Sequence, residues 1–310
     1  KTTLATYVAS QIQKHYESHR YVLYADFEYS LDINHAADLG LDIDSNFILM
    51  RPKSGEDFFD ALPELLNTGE IGLVVIDSIT MINSKAQLED SFSGFSGGKT
   101  ANVISVGLKK IAPFLYTNKC SMIMIAQERA NIGGYGADFK IACGYAPKFV
   151  ASFMARVSKT EEITNPETKE LMGIKIRVRN TKNKLGVPKR DAILKLIFNK
   201  GIDSEEEYFD YLVNLGIVKK TGAMYEVEND AWGMGRVRGQ EAVKAFLKDH
   251  PEIYEKVKTQ INDILAGHNT LDEGPHDMSD IPADYFEDVS VKQAEDEEIP
   301  YDGLDVTDEQ

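Results

Sequence analysis

The sequence predicts an α/β fold: a mostly parallel central sheet extended by antiparallel strands, then a small α+β domain and an acidic disordered tail. Three observations predict it. Up to residue 127, short apolar runs alternate with helix-period stretches, the pattern of βαβ units and a parallel sheet. Each apolar run stops at a polar residue. Beyond residue 148 the texture changes to longer alternating segments, and at the end to a glycine-, proline- and acid-rich stretch.

Residues 1–16 place Leu4, Val8 and Ile12 at helix spacing. YVLYAD (21–26), IGLVVIDS (71–78) and CSMIMIAQ (120–127) read as buried strands ending at Asp26, Asp77 and Gln127. Between them, 55–67 and 101–116 carry the helix period. Ligands of such sheets bind at the carboxyl ends of the strands. Asp26, Glu28, Asp77 and Gln127 are therefore expected to face one crevice. FVASFMARVSKT, LMGIKIRVRNTK and DAILKLIFN read as antiparallel strands that extend the sheet. The first domain is expected to span 1–216. A second, 217–267, holds a hairpin around GAMYEVEND and helices near 239–249 and 251–265, with Pro251 opening the last. Residues 268–310 are expected to be disordered.

Composition narrows the function classes. The chain of 310 residues has a net charge of −16, which argues at first against nucleic acid. Residues 272–310 hold 15 acids against Lys292 alone, leaving 35 acids and 33 bases in residues 1–271. The body is thus nearly neutral. Two cysteines, Cys120 and Cys143, exclude a disulfide framework and make a reducing cytoplasm the expected location. No run of 18 apolar residues exists, so neither a spanning helix nor a membrane partner is expected.

Several segments suggest chemistry. Lys1-Thr2-Thr3 opens a helix, as does the end of a phosphate-binding loop, where backbone N–H groups and the helix dipole favour anions. VVIDS puts Asp77 where a strand-end carboxylate holds Mg²⁺ through water; an ordinary capped strand reads the same way. In YADFEYSLD a carboxylate just past a strand can polarise an attacking water, Glu28 first and Asp26 next; two exposed loop acids are the plainer alternative. Gln127 is a neutral amide able to sense a terminal phosphate. Residues 175–190 hold seven bases and no acid, with Lys175, Arg177 and Arg179 alternating with Ile174, Ile176 and Val178. That stripe suits nucleic-acid contact, a lysine pair given to phosphates, or a solvated strand face. Two glycine-rich segments, 90–100 and 128–145, carry aromatics and scattered cations, as suits a wrapped nucleic-acid strand, a mobile surface loop or a lid.

In order and spacing, these pieces resemble the bacterial RecA recombinase family over about residues 1–265. The carriers are KTTL, DFEYSLD followed by HAADLGLD, VVIDS, IAQERANIG, KNK at 182–184, and AWGMGRVRGQEAVKAFLKDHPE. The resemblance implies a P-loop ATPase core that binds ATP and Mg²⁺, single- and double-stranded DNA, and copies of itself in a filament. It implies DNA-dependent ATP hydrolysis coupled to strand exchange in recombination and repair. Lys1, Thr2 and Thr3 match the end of the phosphate loop, with Thr2 and Asp77 on the metal and Ser78 beside them. Asp32 and His35 fall where the family contacts adenine, usually with a tyrosine at the second position. Glu28 matches the water-activating glutamate. Gln127 matches the glutamine joining the terminal phosphate to the second DNA loop. Lys182 and Lys184 match the lysines that reach a neighbouring subunit's ATP. The DNA-contacting positions are Phe92, Phe95 and Lys99 in the first loop, Arg129, Tyr135 and Lys140 in the second, and Arg236 and Arg238 in the small domain. Both loops depart from the family's usual sequence. The chain begins at the loop lysine, which implies a truncated N-terminus. A ring helicase, a clock-type ATPase or a truncated non-catalytic DNA-binding regulator are the alternatives.

Overall fold

The structure is a computed structural model that describes residues 1–15, 19–89, 98–130, 139–141, 143–165, 167–186, 191–198, 200–202 and 204–266. The chain divides into two compact units, one from Lys1 to Asp203 and one from Ser204 onward.

The first unit runs α1 (Thr2–His15), β1 (Tyr21–Asp26), α2 (Ile33–Asp38), β2 (Phe47–Met50), α3 (Gly55–Asn67), β3 (Ile71–Asp77), α4 (Lys85–Glu89), α5 (Gly98–Thr117) and β4 (Ser121–Met124). It continues through β5 (Glu128–Ala130), β6 (Phe139–Ile141), α6 (Ala146–Val150), β7 (Phe153–Thr164), β8 (Leu171–Asn183), β9 (Asp191–Ile197) and β10 (Gly201–Ile202). β2, β1, β3 and β4 form a parallel sheet in that order. Strand alternation sorts its side chains into two apolar layers. Leu23, Ala25, Val74 and Ile76 pack with Phe58 and Leu62 of α3 and with Ile104 and Leu108 of α5. Val22, Tyr24, Leu73 and Val75 pack with Ala5 and Ala9 of α1 and Ala36 of α2. At the α3–α5 contact Gly107 lies under the Phe59 ring, and a Cβ there would stand 2.3 Å from ring carbons.

α1 forms where the sequence places Leu4, Val8 and Ile12 at helix spacing, and those three are half-buried. Its buried stripe is Ala5, Thr6, Ala9, Ser10 and Gln13, because small side chains let the helix lie close to the sheet. β2 was not read from the sequence: FILM is a short half-buried run with no alternation. The antiparallel strands are present, but hydrogen-bonded among themselves as a second sheet in the order β10-β9-β8-β7. Segment 128–145 is not loop throughout, since β5 and β6 pair as an antiparallel ladder around residues 131–138, which lie outside the described residues.

The second unit comprises α7 (Ser204–Asn214), β11 (Val218–Thr221), β12 (Met224–Val227), β13 (Val237–Arg238), α8 (Gln240–Asp249) and α9 (Pro251–Ala266). The boundary falls ahead of α7 because Phe209 and Leu212 of that helix are buried with Val218, Tyr225, Val243 and Ile261. β11 and β12 form the hairpin, turning at Gly222, whose φ of +63° sits in the left-handed region. Pro251 opens α9. The acidic tail, 268–310, lies outside the described residues. Among the described residues no helix is long and apolar enough to cross a membrane.

Candidate active site

The parallel register sets Asp26 beside Asp77 at the ends of β1 and β3. Both carboxylates are buried, and their partners separate their roles. Asp26 accepts hydrogen bonds from Ser30 N and Leu31 N, each at 3.2 Å, and pairs with Arg51 Nε at 3.3 Å. It is occupied in shaping the loop that carries Glu28.

Asp77 faces α1. Its Oδ2 accepts from Thr2 Oγ1 at 2.7 Å and from the Tyr24 hydroxyl at 2.8 Å. Burial, and then the Asp77 charge, push the Tyr24 phenol well above its ordinary pKa. Asp77 Oδ1 is buried with no hydrogen-bond partner. A buried carboxylate oxygen without a partner is costly unless a cation or water meets it. Among the described residues no group of three His, Cys, Asp or Glu side chains could hold a metal by itself. Mg²⁺ needs no such cage, since it takes one or two protein oxygens and completes its shell with water and phosphate. Thr2 Oγ1 and Asp77 Oδ1 fit that requirement. Lys1 Nζ, at the mouth of α1, donates to Ala126 O at 3.0 Å.

Glu28 leaves β1 on the same rim, its N–H and that of Phe27 directed at Asp77 O. Its Oε1 accepts from Ser78 Oγ at 2.6 Å and from Gln127 Nε2 at 3.0 Å. Among the described residues its Oε2 accepts no hydrogen bond. The Asp77–Ser78 peptide is cis. The structure thus brings Lys1, Thr2, Asp77, Ser78, Glu28 and Gln127 together.

Asp32 serves as the N-cap of α2, accepting from Asn34 N and His35 N. His35 and Thr3 line a cavity of about 400 Å³ with Lys1, whose far wall includes Ile176, Leu196 and Phe198. Phe198 was missed by the sequence reading. It stands at the end of an ordinary apolar run, and only the fold of β9 brings it across from α2.

Lys182 and Lys184 are not brought to this rim by any described contact. Lys182 Nζ donates to Lys148 O and Phe149 O, at the end of α6. Desolvation, and then the Lys184 charge, lower its ammonium pKa. Lys184 is exposed and its N–H donates to Ser152 O at 2.8 Å. The basic stripe of β8 is not uncompensated. Lys175 pairs with Glu161 at 2.6 Å, and Arg177 and Arg179 share Asp191 at 3.7 and 3.2 Å. The acids come from β7 and β9, across the ladder. Of the other expected DNA contacts, Phe92, Phe95 and Tyr135 lie outside the described residues. Lys99 is in the first turn of α5. Arg129 and Lys140 stand opposite each other in the β5–β6 ladder. Arg236 lies 3.7 Å from Glu226, and Arg238 is exposed on β13.

The family model described as the RecA N-terminal domain matches residues 1–203, and that described as the RecA C-terminal domain matches 207–266. The chain is 34% identical over 264 residues to Protein RecA of Sulfurimonas denitrificans, covering 83% of this chain and 74% of the relative. It is 32% identical over 263 residues to Protein RecA of Nitratiruptor sp., covering 84% and 74%. A solved structure of the RadB recombinase aligns with a TM-score of 0.45 and 18% identity, over 65% of this chain and 84% of that one.

Proposed function

The chain belongs to the RecA family, and on that premise we propose that it is a DNA-dependent ATPase that binds single-stranded DNA and drives homologous pairing and strand exchange. The observation that carries the reading is the partnerless buried Oδ1 of Asp77 beside the Thr2 hydroxyl, on the same rim as a glutamate with one free oxygen. Lys1 holds the terminal phosphates electrostatically. Thr2 and Asp77 would hold Mg²⁺, which would supply positive charge against the phosphates. The cavity between His35 and Phe198 takes the adenine, a planar base between an imidazole and an aromatic wall. Glu28 Oε2 accepts one proton from the attacking water. The water oxygen bonds to the γ-phosphorus as the β–γ bridging bond breaks, giving ADP and phosphate. Gln127 exchanges its bond to Glu28 for one to the terminal phosphate. Lys182 and Lys184 act on a neighbouring subunit's ATP in a filament, and the segments around 90–100 and 128–145 contact DNA.

The test is ATP turnover by the full-length protein with and without single-stranded DNA. Turnover is expected to rise with DNA. Glu28→Gln keeps shape and hydrogen bonding without a base, so ATP binding should persist while turnover falls by about 100-fold or more. A Glu28→Gln protein that hydrolyses ATP at the wild-type rate refutes the assignment.

A further inference from the structure

We propose that Thr80 is a positioning residue for Glu28, acting through the Ser78 hydroxyl. This rests on the hydrolytic reading above and extends it by one layer of side chains.

The protons available fix the direction of the hydrogen bonds. Ser78 Oγ lies 2.6 Å from Glu28 Oε1 and 2.8 Å from Thr80 Oγ1. An ionised carboxylate only accepts, and a serine hydroxyl has one proton to give. Ser78 therefore donates to Glu28, and the Thr80 hydroxyl must donate to Ser78. The chain runs one way: Thr80 O–H to Ser78 O–H to Glu28 Oε1, with Gln127 Nε2 donating to the same oxygen from the other side at 3.0 Å. Hydrogen bonds in series polarise one another, which strengthens the one ending on the carboxylate.

Two details show that the arrangement is directed at Glu28. Ser78 occupies the N-cap position of the short 3₁₀ turn Ile79–Met81, where a serine hydroxyl ordinarily bonds a backbone N–H of that turn. Its side chain makes no such cap bond and turns to Glu28 instead. Ser78 is also fully buried, so no bulk water competes for its oxygen. Thr80 makes no other side-chain hydrogen bond among the described residues. Its hydroxyl fixes which way the Ser78 proton points.

The consequence is a division of labour between the two oxygens of one carboxylate. Oε1 is held by Ser78 and Gln127, and Oε2 is left to meet water. When Gln127 turns to a terminal phosphate, Ser78 is the remaining side-chain donor on Oε1, and Thr80 the group that keeps it aimed. Thr80 thus matters most in the state that hydrolyses ATP.

The experiment compares wild type, Thr80→Val and Thr80→Ser in steady-state ATP hydrolysis with single-stranded DNA, and in equilibrium binding of ATP. Valine keeps the shape and removes the donor; serine restores it. Thr80→Val is expected to lower kcat about tenfold, the scale of losing a group that orients a reacting one, with ATP affinity unchanged. Thr80→Ser is expected to restore most of that loss. A merely structural role would move affinity and kcat together. If Thr80→Val does not fold, Thr80→Ala carries the same expectation. Thr80→Val turning over like wild type overturns the relay alone, as do Val and Ser variants that are equally slow. A wild-type protein that binds ATP without hydrolysing it overturns the hydrolytic reading and the relay with it.

Discussion

Removing the Tyr24 hydroxyl tests the charge arrangement around Asp77 at a residue that is not itself a proposed nucleotide contact. Tyr24 is fully buried between α1 and the sheet, and its hydroxyl gives Asp77 Oδ2 one of its two donors, at 2.8 Å. Tyr24→Phe keeps the ring and its packing. A hydrogen bond to an ionised acceptor contributes about 1.5–3 kcal/mol, so the variant should be less stable by about 2 kcal/mol near neutral pH. The pH dependence is more discriminating. Burial and the Asp77 charge raise the Tyr24 pKa in the folded state. A raised pKa means stability that is complete below the unfolded value and is lost as pH rises above it. At about pH 11, one unit above the ordinary phenol value, the unfolded tyrosine has ionised and the folded one has not, which costs wild type about 1.4 kcal/mol. Phenylalanine has no such cost. The gap should narrow from about 2 to about 0.6 kcal/mol over that range. Urea unfolding followed by circular dichroism measures it. Fluorescence of the single tryptophan, Trp232, marks the other unit's transition separately. No gap near neutral pH, or a gap that stays constant into the alkaline range, refutes the reasoning.

Two further outcomes follow from groups outside the site. The Arg20 guanidinium bonds the carbonyls of Ile71 and Asn118, each at 2.7 Å, and Lys119 at 3.1 Å, tying the start of β3 to the end of α5. Arg20→Ala should cost about 3 kcal/mol in urea unfolding, and Arg20→Lys should recover only part, because an ammonium cannot fork across several carbonyls. Burial raises the Cys120 and Cys143 thiols to about 11. Both should resist iodoacetamide in the native protein at mildly alkaline pH and react once it is denatured, as mass spectrometry would show. Native alkylation at the denatured rate would contradict their burial.

The parallel sheet and its rim were legible because one physical rule makes both. A strand buried on two faces must be apolar along its length, and its first polar residue marks where the chain leaves the core. That rule finds Asp26, Asp77 and, past β4, Gln127. It does not separate the two carboxylates of the loop that carries Glu28. Asp26 and Glu28 are two residues apart in one loop, and only their partners distinguish them: two backbone N–H groups and Arg51 for Asp26, Ser78 and Gln127 for Glu28. Thr80 and Phe198 carry no pattern of their own. Each gains its proposed role from a neighbour that folding brings to it.

The basic stripe of β8 shows the same limit in electrostatics. Within residues 175–190 every charge is positive, so a reading along the chain finds an unbalanced patch. A sheet balances charge across its strands. Arg156 of β7 stands opposite Arg179 of β8, a like-charged pair that would be unfavourable alone. Each has an acid beside it: Glu128 of β5 lies 2.9 Å from Arg156, and Asp191 of β9, shared with Arg177, lies 3.2 Å from Arg179. A phosphate backbone approaching this face would have to compete with carboxylates already in place. The release of counterions that drives nucleic-acid binding is largest where cations are unpaired. The pairing lowers what the stripe would gain from DNA, and the proposed contact rests on the loop segments around 90–100 and 128–145 and on exposed cations such as Arg238.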